Sequence, residues 1–517
     1  MIVNNKKTTR LMSEATLTFE QISSYSNLKN AMESYRNQGY TKVTFPELSA
    51  TQYGYGIVFY EIQLGDSPIK SPRQVDFNGW TIKVKNSEAS FGLFDLERRD
   101  AQGHAIILKD LHVTKHDIDS GDFRACPELA TGRKLLIVKD EKEWTYRTDS
   151  NNQVSFPRED AILIVDGKAV NKPIAPYDTP SSAISYHYYD LDNDVPIRFS
   201  HLTFKRDVTS SHTTNLLFVQ GYNDVLIENI TIGFTDNSIT GHTATGLDRC
   251  INVFNCSNVK LRNININGTY SASNTAGYGF YLQTVFNLSL YNVNGQAMWG
   301  VTNMFNINRM YLNHCTLNRL DIHCYGRDIR CYDCTFENTL SSNKYNQFSS
   351  FYGLLHYESC TFNGNFIPAL LEASYHAFTG FDLVLQDCTY NATLDEIRIV
   401  SANFETELTN GTIRRAELQE YCLPNVQVIN LKYTNSHQGN SAIYIYYIGS
   451  GTSTATFLNT HALGYVTQVS LNYHSQTQST ATYHHFSTKG SDLRVSNHVM
   501  TCSMAGAQAI SNQPTEV

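Results

Sequence analysis

Between Arg249 and Leu320 the sequence has neither aspartate nor glutamate, although acids outnumber bases over the whole chain, 48 to 40. That gap leaves the middle of the chain without the two carboxyl groups of ordinary glycoside hydrolysis. It equally leaves no carboxylate cluster for a calcium-bridged reaction. Charge is sparse everywhere, at 17% of residues, and no basic run occurs, so nucleic acid is not an expected partner. No window approaches the roughly 20 apolar residues of a membrane-spanning helix. The basic N-terminus MIVNNKKTTRLMSEATLTFE has no apolar run behind it, so a secretory signal is not expected and synthesis is placed in a cytoplasm. The 11 cysteines are odd in number and lack the dense, regular spacing of a small disulfide scaffold. Strongly periodic helical stretches are rare, whereas tyrosine, at 32, is abundant, which favours β structure.

What the chain does contain is one phrase repeated. DVLIENITI, NVKLRNINI, LSLYNVNG, MYLNHCTL, DIRCYDCTF, LLHYESCTF and LVLQDCTY each alternate apolar residues, pause at a small polar residue, and alternate again. IRFSHLTF and AIILKDLHV read as earlier copies. The pauses fall at Asp110, His201, Asn229, Asn263, Asn292, His314, Asp333, Ser359 and Asp387, and from His201 onward they are 19 to 34 residues apart. A strict solenoid period is excluded, but coils carrying unequal loops fit. Asn and Asp tolerate the left-handed backbone that a bend between two strands requires. The expected fold is all-β: a right-handed single-stranded parallel β-helix of the pectate-lyase-like kind.

This frame decides the cysteine-rich segment HCYGRDIRCYDCTF, which at first sight suggests metal ligands. Cys315, Cys334, Cys360 and Cys388 all take the first inward position after a bend, aligned with Ile230, Ile264 and Val293. Cys331 aligns with Ile227, Leu261, Leu290 and Leu312. Such a ladder spreads sulfur along an axis, whereas zinc needs four ligands converging on one point. They are expected to be core, with no metal.

The ends read differently. SNLKNAMESYRNQG places Leu28, Ala31, Met32 and Tyr35 at helical spacing, with Ser26 or Asn27 as the cap and Gly39 after it. Residues 1–40 are expected to form an N-terminal segment and a helix plugging the coil stack. The stack is assigned to 41–420, with an excursion near 117–190, and 421–517, almost uncharged and rich in Ser, Thr, Gln and Tyr, to an intertwined trimeric β stem.

A helix plug, a coil stack and such a stem together resemble bacteriophage tail spikes, homotrimeric parallel β-helices that degrade host capsules. The lead-in LKNAMESYRNQGYTKVTFPE resembles the pectate-lyase-like superfamily. The whole chain looks most like the heparosan lyase tail spikes of coliphages. This resemblance implies a homotrimer, an acidic capsular polysaccharide of glucuronic acid and N-acetylglucosamine, and attachment to a phage tail or baseplate through the N-terminus. It implies a virion protein made in the host cytoplasm and acting at the bacterial surface. Some relatives carry a C-terminal chaperone that cuts itself off; a chain stopping at SNQPTEV fits a matured or truncated product. No site residue follows from the resemblance.

The residues supply their own chemistry. Arg249, Lys260, Arg262, Arg309 and Arg319 in the acid-free stretch suit a polyanion, although Arg262 lies on another strand. A metal-independent lyase must neutralise a uronate carboxylate, remove the C5 proton, and protonate the departing glycosidic oxygen. Counting back from each bend gives a column Phe218, Asn252, Tyr281, Asn303, Ile322, Phe348 and His376. If the coil around Ile322 has lost a turn residue, His323 replaces it. The expected catalytic residues are Tyr281, His323, Asn303 and Arg249. Asn252, Trp299, Arg309, Arg319, Tyr325 and His242 are expected to bind substrate, with His242 and Tyr278 as the reserve pair. No cofactor is expected. The alternatives are a hydrolase or esterase drawing acids from Asp248, Asp321 or Glu372, and a non-enzymatic adhesin.

Overall fold

The structure is a computed structural model whose described residues lie between 13 and 503. The longest breaks are 98–108, 172–183, 207–213, 235–248, 268–277 and 416–424, and beyond residue 432 the backbone alone is described. The chain winds into a right-handed parallel β-helix. Strands Arg249–Asn267, Tyr278–Gln296 and Gly300–Asn313 each run around much of one coil and pair in parallel with the next. Alternation sends Ile227, Leu261, Leu290, Leu312 and Cys331 inward in one column and Ile230, Ile264 and Val293 in another, all buried.

The bends form where the sequence pauses. From His201 to Asp387 every pause residue has φ between +51° and +61°. Their side chains also stack: Asn263 Nδ2 donates to Asn229 Oδ1 at 3.0 Å, and Asn292 Nδ2 to Asn263 Oδ1 at 3.0 Å. Asp110 is the exception. Lys109–Asp110 pairs antiparallel with Ile184–Asp190 and belongs to the excursion, so Asp110 does not mark a coil bend.

Register puts Thr316, Thr335, Thr361 and Thr389 side by side, which aligns the preceding Cys315, Cys334, Cys360 and Cys388. All four are buried, and their thiols donate to backbone carbonyls, those of Cys315, Cys360 and Cys388 reaching Leu290, Cys331 and Tyr357 of the coil before. Just inside them, Phe336, Phe362 and Tyr390 stack ring on ring.

The helix Tyr25–Asn37 buries Tyr25, Leu28, Ala31 and Met32 in the same core as the first coils. Its cap is Ser24, not Ser26 or Asn27, because Ser24 is the residue whose hydroxyl accepts from an orphan helix N–H, that of Asn27. The excursion is an antiparallel sheet built on the hairpin of Arg133–Thr148 and Gln153–Val165. One face has its own core of Leu136, Val138, Ile162 and Ile164, and the other lays Leu135 and Leu163 against Phe286 of the coil stack.

Parallel pairing does not stop at residue 420. Asn425–Ile429, Lys432–Asn435 and Ser441–Ile448 continue the three faces, and parallel rungs reach Phe486–Thr488 before the chain turns antiparallel. The coil stack therefore extends well into the segment assigned to a stem. The Thr- and Ser-rich strands there keep the period-two alternation, which is all that parallel pairing on a preceding coil requires.

Candidate active site

On the outer face of the coils, Ile251, Val253, Phe280, Leu282, Thr302 and Met304 point inward and are buried, which turns Asn252, Tyr281 and Asn303 outward between them. Direct pairing extends this column upstream through Phe218 to Asp95. A cleft of about 430 Å³ opens here, lined among others by Asp95, Phe218, Arg249, Asn252, Phe254 and Tyr281. The Arg249 guanidinium lies 3.8 Å from the centre of the Tyr281 ring, close enough for a strong cation–π contact. The Asn252 amide is anchored on the Leu217 and Arg249 carbonyls at 3.5 and 3.4 Å. Asn303 is only 4% exposed, and its Oδ1 has no hydrogen-bond partner among the described residues.

A second outward column, two residues further on, carries aromatic rings. Phe218 meets Phe254 and Phe254 meets Tyr281 edge to face, each pair with centroids 5.0 Å apart. Tyr281 meets Phe305 at 6.0 Å, and Phe305 stacks on His323 at 5.2 Å. The strip is half-buried, an arrangement suited to the apolar faces of sugars.

Below Asn303 the expected register fails. Met304 pairs with Ile322 and Phe305 with Cys324, so the column continues into Asp321, and His323 is the extra residue of a bulge. Leu320 and Ile322 are both fully buried, which forces the Asp321 between them to the other side. His323 thus reaches the face by a bulge and stands beside Phe305. It does not take the place of Ile322, and Phe305 separates it from Tyr281.

The residues around Asp321 form a buried polar knot. Arg319 and Asp321 are both 0% exposed, with Nη2 to Oδ2 at 3.0 Å. The same Oδ2 accepts from the Tyr278 hydroxyl at 3.2 Å and lies 3.5 Å from His323 Nε2. Tyr278 Oη is in turn 3.4 Å from that imidazole nitrogen. Arg319 also donates to Gln347 and packs its guanidinium 4.4 Å from the Tyr345 ring centre. Gly300 makes room for this: a Cβ there would stand 3.3 Å from Arg319 Cβ.

Arg319, expected on the surface, is therefore internal, and substrate cannot touch it without unfolding the coil. Arg309 and Tyr325 are also displaced from the cleft. Both are bend residues, with φ of +61° and +59°; Arg309 leans on Phe286 of the preceding coil, and Tyr325 is buried. His242, Trp299, Asp248 and Glu372 lie outside the described residues, as does the side chain of His376. Sequence reasoning missed Phe254 and Phe305, although their i+2 relation to Asn252 and Asn303 places them on the same face. It treated Asp321 only as a hydrolase acid, and nothing in one sequence signals its pairing with Arg319.

No family model matches the chain, and no curated protein does. Among solved structures it is similar to the tailspike protein gp49 from Pseudomonas phage LKA1, at 10% identity and a TM-score of 0.46, covering 87% of this chain and 77% of that one. The tailspike gp61 of Pseudomonas phage phi297 shows 13% identity and a TM-score of 0.45, covering 87% and 76%. A hyperthermoactive exopolygalacturonase from Thermotoga maritima shows 11% identity and a TM-score of 0.30, covering 96% and 95%. The likeness is one of fold.

Proposed function

We propose that the protein is a phage tail-spike enzyme that depolymerises an acidic, uronate-containing capsular glycan, with heparosan the best candidate, by metal-independent β-elimination. The observation that carries this reading is the Arg249 guanidinium stacked on a half-buried Tyr281 in an open cleft whose one lining acid, Asp95, is paired with Lys70. Tyr281 and His323 stand two coils apart, about 10 Å along the axis, with Asn303 on the coil between. A uronate seated over Asn303 then has one group on each side. Arg249, Asn252 and Asn303 neutralise its carboxylate, which acidifies the C5 proton. His323 takes that proton; the electron pair forms the C4–C5 double bond, the C4–O bond breaks, and Tyr281 protonates the leaving oxygen.

Asp95 and Asp321 are too far apart to serve together as the acid pair of a hydrolase. Asp95 and Asp321 share the column but are separated by Phe218, Asn252, Tyr281 and Asn303. Those five coil steps amount to about 24 Å, against the roughly 5 to 9.5 Å between the carboxyl groups of a glycosidase. Incubation of the purified protein with heparosan tests the proposal. An unsaturated, ultraviolet-absorbing end is expected. Reducing ends without that absorbance support a hydrolase, and binding without cleavage an adhesin. The same reading makes the protein a homotrimer fixed to the tail by its N-terminus. Light scattering that finds a monomer would remove that part.

A further inference from the structure

A fully buried ion pair on this face is an expensive substitute for uncharged side chains. Taking both charges out of water costs several kcal/mol per ion, and apolar residues of similar volume are commonly no less stable there. On the neighbouring coils the positions in register with Asp321 are Asn303 and Gln347, both uncharged. The Arg319–Asp321 pair therefore calls for a reason beyond stability, and its geometry offers one. The carboxylate oxygen that faces Arg319 also faces Tyr278 and His323, and His323 meets the aromatic strip through Phe305.

We infer that Asp321 is a positioning residue: anchored by Arg319, it fixes the orientation of His323 directly and through the Tyr278 hydroxyl. This rests on the β-elimination reading, in which His323 accepts the C5 proton. To act as the base, the imidazole must enter the step neutral. Once it takes the proton, the new charge stands 3.5 Å from a carboxylate whose position the ion pair has already set. Stabilisation of the imidazolium then needs no reorganisation during the step. Arg319 supplies the counter-charge that allows a carboxylate to sit fully buried, and Gly300 supplies the space for Arg319. Among the described residues, Asp321 on its own strand, Tyr278 from Tyr278–Gln296, and Arg319 behind Asp321 are placed around His323, with Phe305 stacked on the ring.

The test is steady-state kinetics on heparosan with Asp321→Asn and Tyr278→Phe. Asp321→Asn keeps the shape and removes the charge, so kcat should fall by about 10- to 100-fold with KM within about twofold. Loss of the carboxylate disfavours the imidazolium, so the acid limb of the pH–rate profile should move to lower pH. Tyr278→Phe leaves the ion pair in place and should lower kcat by about tenfold, which keeps the inference testable if Asp321→Asn does not fold. If both variants lose only thermal stability, with kcat and the acid limb unchanged, the pair is structural and the inference is overturned. If the wild-type protein yields no unsaturated ends, the β-elimination reading has failed. The positioning role is then decided by nuclear magnetic resonance titration of the His323 imidazole, whose midpoint should still move down in Asp321→Asn. An unmoved midpoint overturns the inference independently.

Discussion

Two stacks of side chains run along the same coils and obey different rules. In the bend column Asn229, Asn263 and Asn292 pass hydrogen bonds from coil to coil, and inside the next face Cys315, Cys334, Cys360 and Cys388 stack in register, with Cys360 and Cys388 each donating to a carbonyl of the coil before. Like sits on like, because each coil meets its neighbour in the same environment and one good solution serves repeatedly. The outward column reads Asp95, Phe218, Asn252, Tyr281, Asn303, Asp321 and Gln347, with no residue repeated on adjacent coils. A stack that abandons repetition gives up the stabilisation that repetition offers. In a repeat fold that departure marks where selection acted on something other than packing.

The contrast can be broken at several points. The largest effect is expected from Arg319→Ala, which leaves Asp321 buried without its counter-charge; urea denaturation should show a loss of about 3–5 kcal/mol. Tyr281→Phe should act on the other quantity: kcat lower by about 100-fold, KM and stability nearly unchanged, because only a transferable proton is removed. A folded Tyr281→Phe variant with normal turnover would move the acid to another residue. In the repeating stack the effects should fall on stability alone. Asn263→Ala removes the amide that makes a left-handed bend tolerable and cuts two ladder bonds, costing about 2 kcal/mol with kcat intact, whereas Asn263→Gly should recover most of the backbone part.

The smallest effect belongs to the cysteines. Cys360→Ala should cost about 1–2 kcal/mol and leave activity alone, and chelators should neither unfold nor inactivate the protein. Burial pushes the Cys256 thiol up to about 12 and that of Cys331 well above its usual range. Alkylation at neutral pH should therefore leave both unmodified until the coils unfold, with Cys126, half-buried in the excursion, labelled first among the described cysteines.

The comparison also explains which parts were legible in advance. Repetition is visible in a single sequence, since each copy corroborates the others; hence the bends at Asn229, Asn263 and Asn292 and the ladder of Cys334, Cys360 and Cys388. Asp110 misled because one copy of an alternating phrase, without neighbours in register, looks the same in a parallel coil and in an antiparallel hairpin. The boundary at 420 misled because the charge-poor composition of the tail was weighed above its continuing alternation.

The sequence by itself determined the coil, its bends, its inward columns, and the outward placement of Asn252, Tyr281 and Asn303. Period-two alternation and left-handed bends are local rules that every copy must obey. Only the tertiary structure decided the rest. A single bulge beside Phe305 carried Asp321 into the column and made His323 its neighbour. Winding brought Tyr278 within hydrogen-bond reach of residues more than forty positions further along the chain. Arg319 went inside because Gly300 left a space beside it. Contacts between coils depend on register, and one residue gained or lost in a turn changes register without altering the local pattern on either side.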